Sequence, residues 1–231
     1  MSPWASLTLA LLAFASSSIL GCARADSDAV AVRERCAGER AGGAVAVLPV
    51  LGLCGPEWGP FGDGTVLPPE PCGPGAEVVM AADGGLAGLE LRGMPGGDFS
   101  VEVEAAITQQ GGEFAAAGVA VVDAQRSNGA VFGLVLAGGG SFVGLARLVA
   151  NQIEPRWENR LGTGVCEAHL RLICHGGVVS GLVWRQGDWR PLGRIELAPG
   201  PWRIAFAFKG RGRAFLRRAR IVGGEAGRDA A

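Results

Sequence analysis

The chain has 231 residues, with 21 Lys and Arg against 22 Asp and Glu, and a formal net charge of −1. This balance removes any global electrostatic case for nucleic acid or an anionic membrane surface as partner. Basic character is almost wholly arginine, Lys209 being the only lysine, and the abundance of glycine and lack of tyrosine say little about function.

Leu7 to Leu20 is apolar or small and carries no charge, which matches a signal-peptide core and is short for a membrane span. The Ile19-Leu20-Gly21-Cys22 stretch that follows resembles a bacterial lipobox, in which a small residue precedes a cysteine that becomes the acylated N-terminus. Lipidation at Cys22 is the leading expectation. Plain secretion stays open, because Ala23-Arg24-Ala25 also reads as an A-x-A cleavage site and Met-Ser-Pro-Trp lacks a basic residue. Residues 1–22 are therefore expected to form a lipoprotein signal peptide, and the polar stretch 23–43 a tether.

Residues 44–75 hold an apolar run broken by Pro49, then repeated Pro and Gly. They predict an irregular extension, with any strand at a sheet edge, since proline cannot donate a ladder hydrogen bond. Export implies an oxidising compartment. Beyond Cys22 there are Cys36, Cys54, Cys72, Cys166 and Cys174, an odd number. At least one disulfide is expected among the first three, where a packed core is lacking. No bridge is expected between Cys166 and Cys174, which one extended strand would hold far apart. The cysteines form no C-x-x-C pair and lie far in sequence from His169 and His175, which gives a metal site little support.

From residue 76 to 222, short β-branched or apolar stretches alternate with Gly-rich turns, and helix signals almost vanish. Strands are predicted at 77–81, 86–92, 99–107, 116–122, 130–136, 141–149, 168–174, 178–184, 190–197, 202–208 and 214–222. That density implies two packed antiparallel sheets. Alternation turns Phe99, Val101 and Val103 inward with Glu102 and Glu104 outward, and sets Leu170, Leu172 and Cys174 against His169 and Arg171. Residues 223–231 read as a flexible tail.

The order of these motifs resembles the concanavalin A-like lectin, glucanase and laminin G-like jelly-roll domains. The carriers are Gly97-Asp98-Phe99-Ser100-Val101-Glu102-Val103, Ala117-Gly118-Val119-Ala120-Val121-Val122, Asn128-Gly129-Ala130-Val131-Phe132-Gly133-Leu134, His169-Leu170-Arg171-Leu172, the Val183 to Trp189 hairpin, and Ala219-Arg220-Ile221. The resemblance implies an all-β, two-sheet antiparallel sandwich. That fold hosts binding modules, enzymes and inert adhesion modules alike, so function has to come from a site.

Glu102 and Glu104 form an E-x-E pair, and paired carboxylates are what glycoside hydrolysis requires. Glucanases of this fold carry a further acid, absent here, so a solvated strand face is the expectation. Trp184 and Trp189 are expected to pack across their hairpin, and Trp202 along its strand. Trp157 differs in lying within a polar loop, and aromatic faces suit sugar C–H groups. Trp157, with Asn151, Gln152, Arg156 and Asn159, is thus the predicted ligand site. The Lys209 to Arg220 basic stripe reads as a charged edge that discourages sheet pairing. Asp98, Asp123 and Asp188 are weak candidates for structural Ca²⁺, and no cofactor is otherwise expected.

These readings lead to a non-catalytic envelope lipoprotein that binds a glycan or another surface component, touching the membrane only through its anchor and binding no nucleic acid. A structural or adhesion module without a small ligand is the alternative, and a glycan-active enzyme the third.

Overall fold

In the computed structural model the described residues are 58–67, 77–92, 98–109, 114–150, 152–154, 159–164 and 166–223. Cys22, the tether, the disulfide expected among Cys36, Cys54 and Cys72, and the 224–231 part of the tail lie outside them.

Among the described residues thirteen strands follow in chain order: β1 (Trp58–Gly62), β2 (Thr65–Leu67), β3 (Glu77–Leu91), β4 (Phe99–Gln109), β5 (Phe114–Val122), β6 (Gly129–Ala137), β7 (Gly140–Val149), β8 (Gln152–Ile153), β9 (Asn159–Gly162), β10 (Glu167–His175), β11 (Val178–Arg185), β12 (Asp188–Glu196) and β13 (Arg203–Gly223). Every pairing between them is antiparallel. The two-sheet sandwich expected from the sequence is what forms.

Its two layers are continuous through two long strands. Layer A runs β12-β11-β10-β4, then the C-terminal half of β13, the N-terminal half of β3, and β2. Layer B runs β1, the C-terminal half of β3, the N-terminal half of β13, and β5-β6-β7, with β8 and β9 on β7. The partner of β13 changes from β5, through Gly210, to β4, from Gly212 onward.

This corrects the sequence reading in two places. The Asp83-Gly84-Gly85 and Lys209-Gly210-Arg211 stretches, read as turns between separate strands, are corners where one strand passes from layer to layer. Gly84 and Gly210 take φ of 81° and 135° there, values that glycine adopts without penalty, and the register of β3 against β13 shifts between Lys209 and Arg211. The basic stripe consequently lies on a central strand, and its expected role as an edge guard does not hold. The sheet also begins before residue 76: Trp58 is buried in the core, and β1 lies on the rim of layer B with Pro60 beside Leu89. An edge position is where proline is tolerated.

The inward phases of both layers make one core, with Phe132, Phe206 and Phe208 among its largest fully buried side chains. Each such ring contributes about 1.5 to 3 kcal/mol through removal from water. Gly181 of layer A faces Phe132 of layer B so closely that a Cβ there would stand 2.9 Å from the ring. The glycine lets the layers approach at that point. Cys174 is buried in the same core and free, so no bridge joins it to Cys166.

Candidate functional site

The outer face of layer A gathers aromatic and charged side chains from four strands. Leu170, Leu172 and Cys174 are claimed by the core, which forces His169, Arg171 and Ile173 outward by the period-two rule. On β4, Val101 and Val103 do the same for Ser100, Glu102 and Glu104. The β4/β10 register then sets Arg171 directly opposite Glu102, and His169 opposite Glu104.

Gln186 and Gly187 turn the β11/β12 hairpin with φ of 53° and 84°, the pair of positive values that a two-residue type I′ turn requires. It places Trp184 and Trp189 opposite one another. Their rings meet edge to face at 5.2 Å between centroids, so the expected packing across the hairpin is present. His169 joins them, 4.8 Å from Trp189 and 6.2 Å from Trp184. The Arg171 guanidinium lies 4.3 Å from the Trp189 ring centre, within cation–π range.

Glu102 anchors this ledge. One of its oxygens accepts from Arg171 Nη2 at 2.7 Å and Nε at 3.1 Å, and the other faces His169 Nε2 at 2.9 Å. Burial raises the Glu102 pKa, but hydrogen bonds and charge from His169 and Arg171 outweigh it and hold the carboxyl down at about 2. An ionised carboxylate only accepts, so His169 Nε2 carries the hydrogen.

Beside the ledge is a depression of about 230 Å³ lined by Ser100, Glu102, Arg171, Ile173, Arg220 and Val222. Its walls combine two guanidinium groups, a carboxylate and a hydroxyl with the flanks of two apolar side chains. A second hollow, on the outer face of layer B, is floored by Ala116, Gly118, Ala120, Gly133 and Ala205 and walled by apolar side chains. The cations at its rim have partners: Lys209 donates to the Gly84 carbonyl at 2.8 Å and Arg126 meets Glu90 at 2.5 Å. It offers a sugar few groups to bond.

Of the ligand residues expected from the sequence, Gln152 is exposed on β8 and Asn159 opens β9, whose backbone pairs with β7. Asn151, Arg156 and Trp157 lie outside the described residues. The E-x-E glutamates share the outer face, and each has a cation: Glu104 accepts from Arg218 Nη1 at 2.6 Å, and Glu102 is held as above. The three turn aspartates do not converge. Asp123 is tied to Ser127 and Asn128, Asp98 to His175 and the Gly176 amide, and Asp188 to the Trp189 amide. Among the described residues no three His, Cys, Asp or Glu side chains cluster as a metal site would need.

No family model and no curated protein sequence matches this chain. Solved structures do. A carbohydrate-binding module from Bacillus subtilis aligns over 72% of this chain and 96% of its own, at TM-score 0.52 and 13% identity. The legume lectin-like domain from Entamoeba histolytica aligns over 72% and 90%, at 0.50 and 8%. The Emp46p carbohydrate recognition domain, in its potassium-bound form, aligns over 74% and 90%, at 0.52 and 11%. The fold is a lectin-like jelly roll. At such identities the likeness extends to the fold alone, and the site must be argued from this chain's own residues.

The anchoring of the aromatic ledge escaped the sequence reading because Glu102 is 67 residues from His169 and 69 from Arg171. One signal was available. His169 and Arg171 stand in the outward phase beside a hairpin that carries two tryptophans, and extending the β10/β11 register would have grouped them.

Proposed function

We propose that this chain is a non-catalytic glycan-binding module, carried at the bacterial cell envelope on a lipid attached to Cys22, and that it binds its ligand on the outer face of layer A. The observation that carries the reading is the ledge of Trp184, Trp189, His169 and Arg171 beside a polar depression. Flat aromatic and guanidinium surfaces match the apolar faces of sugar rings, and the adjoining polar groups supply orientation. Solved structures described as carbohydrate-binding or carbohydrate-recognition domains share the fold, which supports the ligand class.

Two features favour binding over chemistry. Glycoside hydrolysis needs one carboxyl held protonated and a second across the scissile bond. Here Glu102 is ionised down to about pH 2 by Arg171 and His169, and Glu104 sits against Arg218. For the envelope, the support is the uncharged Leu7 to Leu20 segment running into Gly21-Cys22.

A glycan array probed with the purified chain tests the reading, alongside Trp189→Ala and Trp157→Ala. Retention of a defined glycan set, lost in Trp189→Ala and kept in Trp157→Ala, is the expected result. An empty array would move the protein to the adhesion-module class. Loss in Trp157→Ala alone would move the site to residues 151–160. Acyl chains on Cys22 by mass spectrometry test the anchor, and an unacylated N-terminus at Asp26 would remove it.

A further inference from the structure

Arg220 reaches the depression through a local irregularity of β13. Ala214 and Leu216 point into the core, and strict alternation would send residues 218 and 220 the same way. A register shift between Arg217 and Arg220 interrupts that phase. Arg218 takes φ of 50°, a left-handed value uncommon for a residue with a side chain. After this bulge Ala219 and Ile221 fill the core and Arg220 faces out, opposite Glu102. Bulges re-aim side chains in this manner and recur next to binding sites.

The charges do not balance where Arg220 arrives. Along the same half of β13, Arg211 meets Asp83 at 2.6 Å, Arg217 meets Glu77, and Arg218 meets Glu104 at 2.6 Å. Glu102, the carboxylate opposite Arg220, is engaged on both oxygens by Arg171 and His169. Arg220 has no carboxylate within ion-pair reach among the described residues. The depression therefore holds two guanidinium groups, those of Arg171 and Arg220, on either side of the one carboxylate of Glu102, and Ser100 lies two residues further along β4 in the lining.

Resting on the glycan-binding reading above, we propose that this depression takes the carboxylate of an acidic sugar, a uronic or sialic acid residue, and so makes the module selective for anionic glycans. Arg220 supplies the unshared fork of N–H donors that fits a carboxylate in plane. Arg171, stacked on Trp189 and held by Glu102, offers a fixed guanidinium surface beside it, and Ser100 a hydroxyl donor. The sugar ring then lies towards the tryptophan ledge.

The test is an array of uronate-bearing and sialylated glycans printed beside their carboxyl-reduced counterparts, read at low and at physiological salt. The wild-type chain is expected to hold the acidic members about tenfold or more above the reduced ones, with the margin shrinking as salt rises. Arg220→Gln should bring the acidic signal down to the reduced level, and Arg220→Lys should restore part of it. Arg220 is exposed, so the melting temperature of both variants should match the wild type. Equal binding of acidic and reduced glycans, or an Arg220→Gln array identical to the wild type, would overturn the selectivity and leave glycan binding standing. No binding to any glycan would overturn both.

Discussion

The two outer faces of the sandwich share two strands, β3 and β13, and differ in almost every respect. On layer B, β13 turns Ala205 and Ala207 outward beside Ala116, Gly118, Ala120 and Gly133 of β5 and β6. Past the corner at Gly210, the same strand turns Arg211, Arg213, Arg217 and Arg220 outward beside Glu102, Glu104 and Arg171. The inward phases on either side of the corner are alike, and both feed one core. The core thus constrains half of each strand and leaves the other half free to specialise, and on layer A that freedom assembled the ledge and the depression.

The core is the one region whose damage should reach both faces. Phe132→Ala, which empties the space against Gly181, is expected to lower unfolding free energy by about 3 to 5 kcal/mol in urea titration. If it cost under about 1 kcal/mol, the packing of the two layers against each other would be wrong.

The faces should then separate. Glu102→Gln leaves Arg171 and His169 without their carboxylate and is expected to cost about 1 to 3 kcal/mol. Its pH signature has a definite sign. The folded value, about 2, lies below the ordinary 4.5, so the ionised carboxylate stabilises the fold fully above about pH 4.5 and loses that contribution as the pH falls towards 2. The variant should therefore show a shallower acid limb between those values in urea unfolding than the wild type. Superimposable limbs would mean that the cluster does not hold Glu102 as described.

A smaller effect on stability is expected from Trp189→Ala, about 1 kcal/mol from the lost aromatic contacts, together with loss of glycan retention. Ala116→Ser, on the layer B face, should stay within about 0.5 kcal/mol of the wild type and leave glycan retention unchanged. Were the two substitutions to exchange their effects on retention, the ligand face would be layer B.

Much of this fold was legible in the sequence. The 99–107 prediction became Phe99–Gln109, 130–136 became Gly129–Ala137, and 178–184 became Val178–Arg185, because alternation is imposed locally by which side chains the core accepts. The corners at Gly84 and Gly210 were not legible, since a glycine that bends a strand between layers and one that ends it look alike in a sequence. Nor was the outward turn of Arg220, which depends on the left-handed Arg218 where a strict two-residue period reads straight through. Anchoring the ledge on Glu102 required the register of β4 against β10, strands distant in the chain, and hydrophobic pattern fixes only the phase of each strand, not its partner.

The most direct test of layer A as the ligand face is backbone hydrogen exchange of the full chain, with and without the strongest glycan from the array. Added protection confined to β4, β10 to β12 and the C-terminal half of β13 is the predicted result. Protection on β5 to β7, or within residues 151–160, with β10 to β12 unchanged would contradict it.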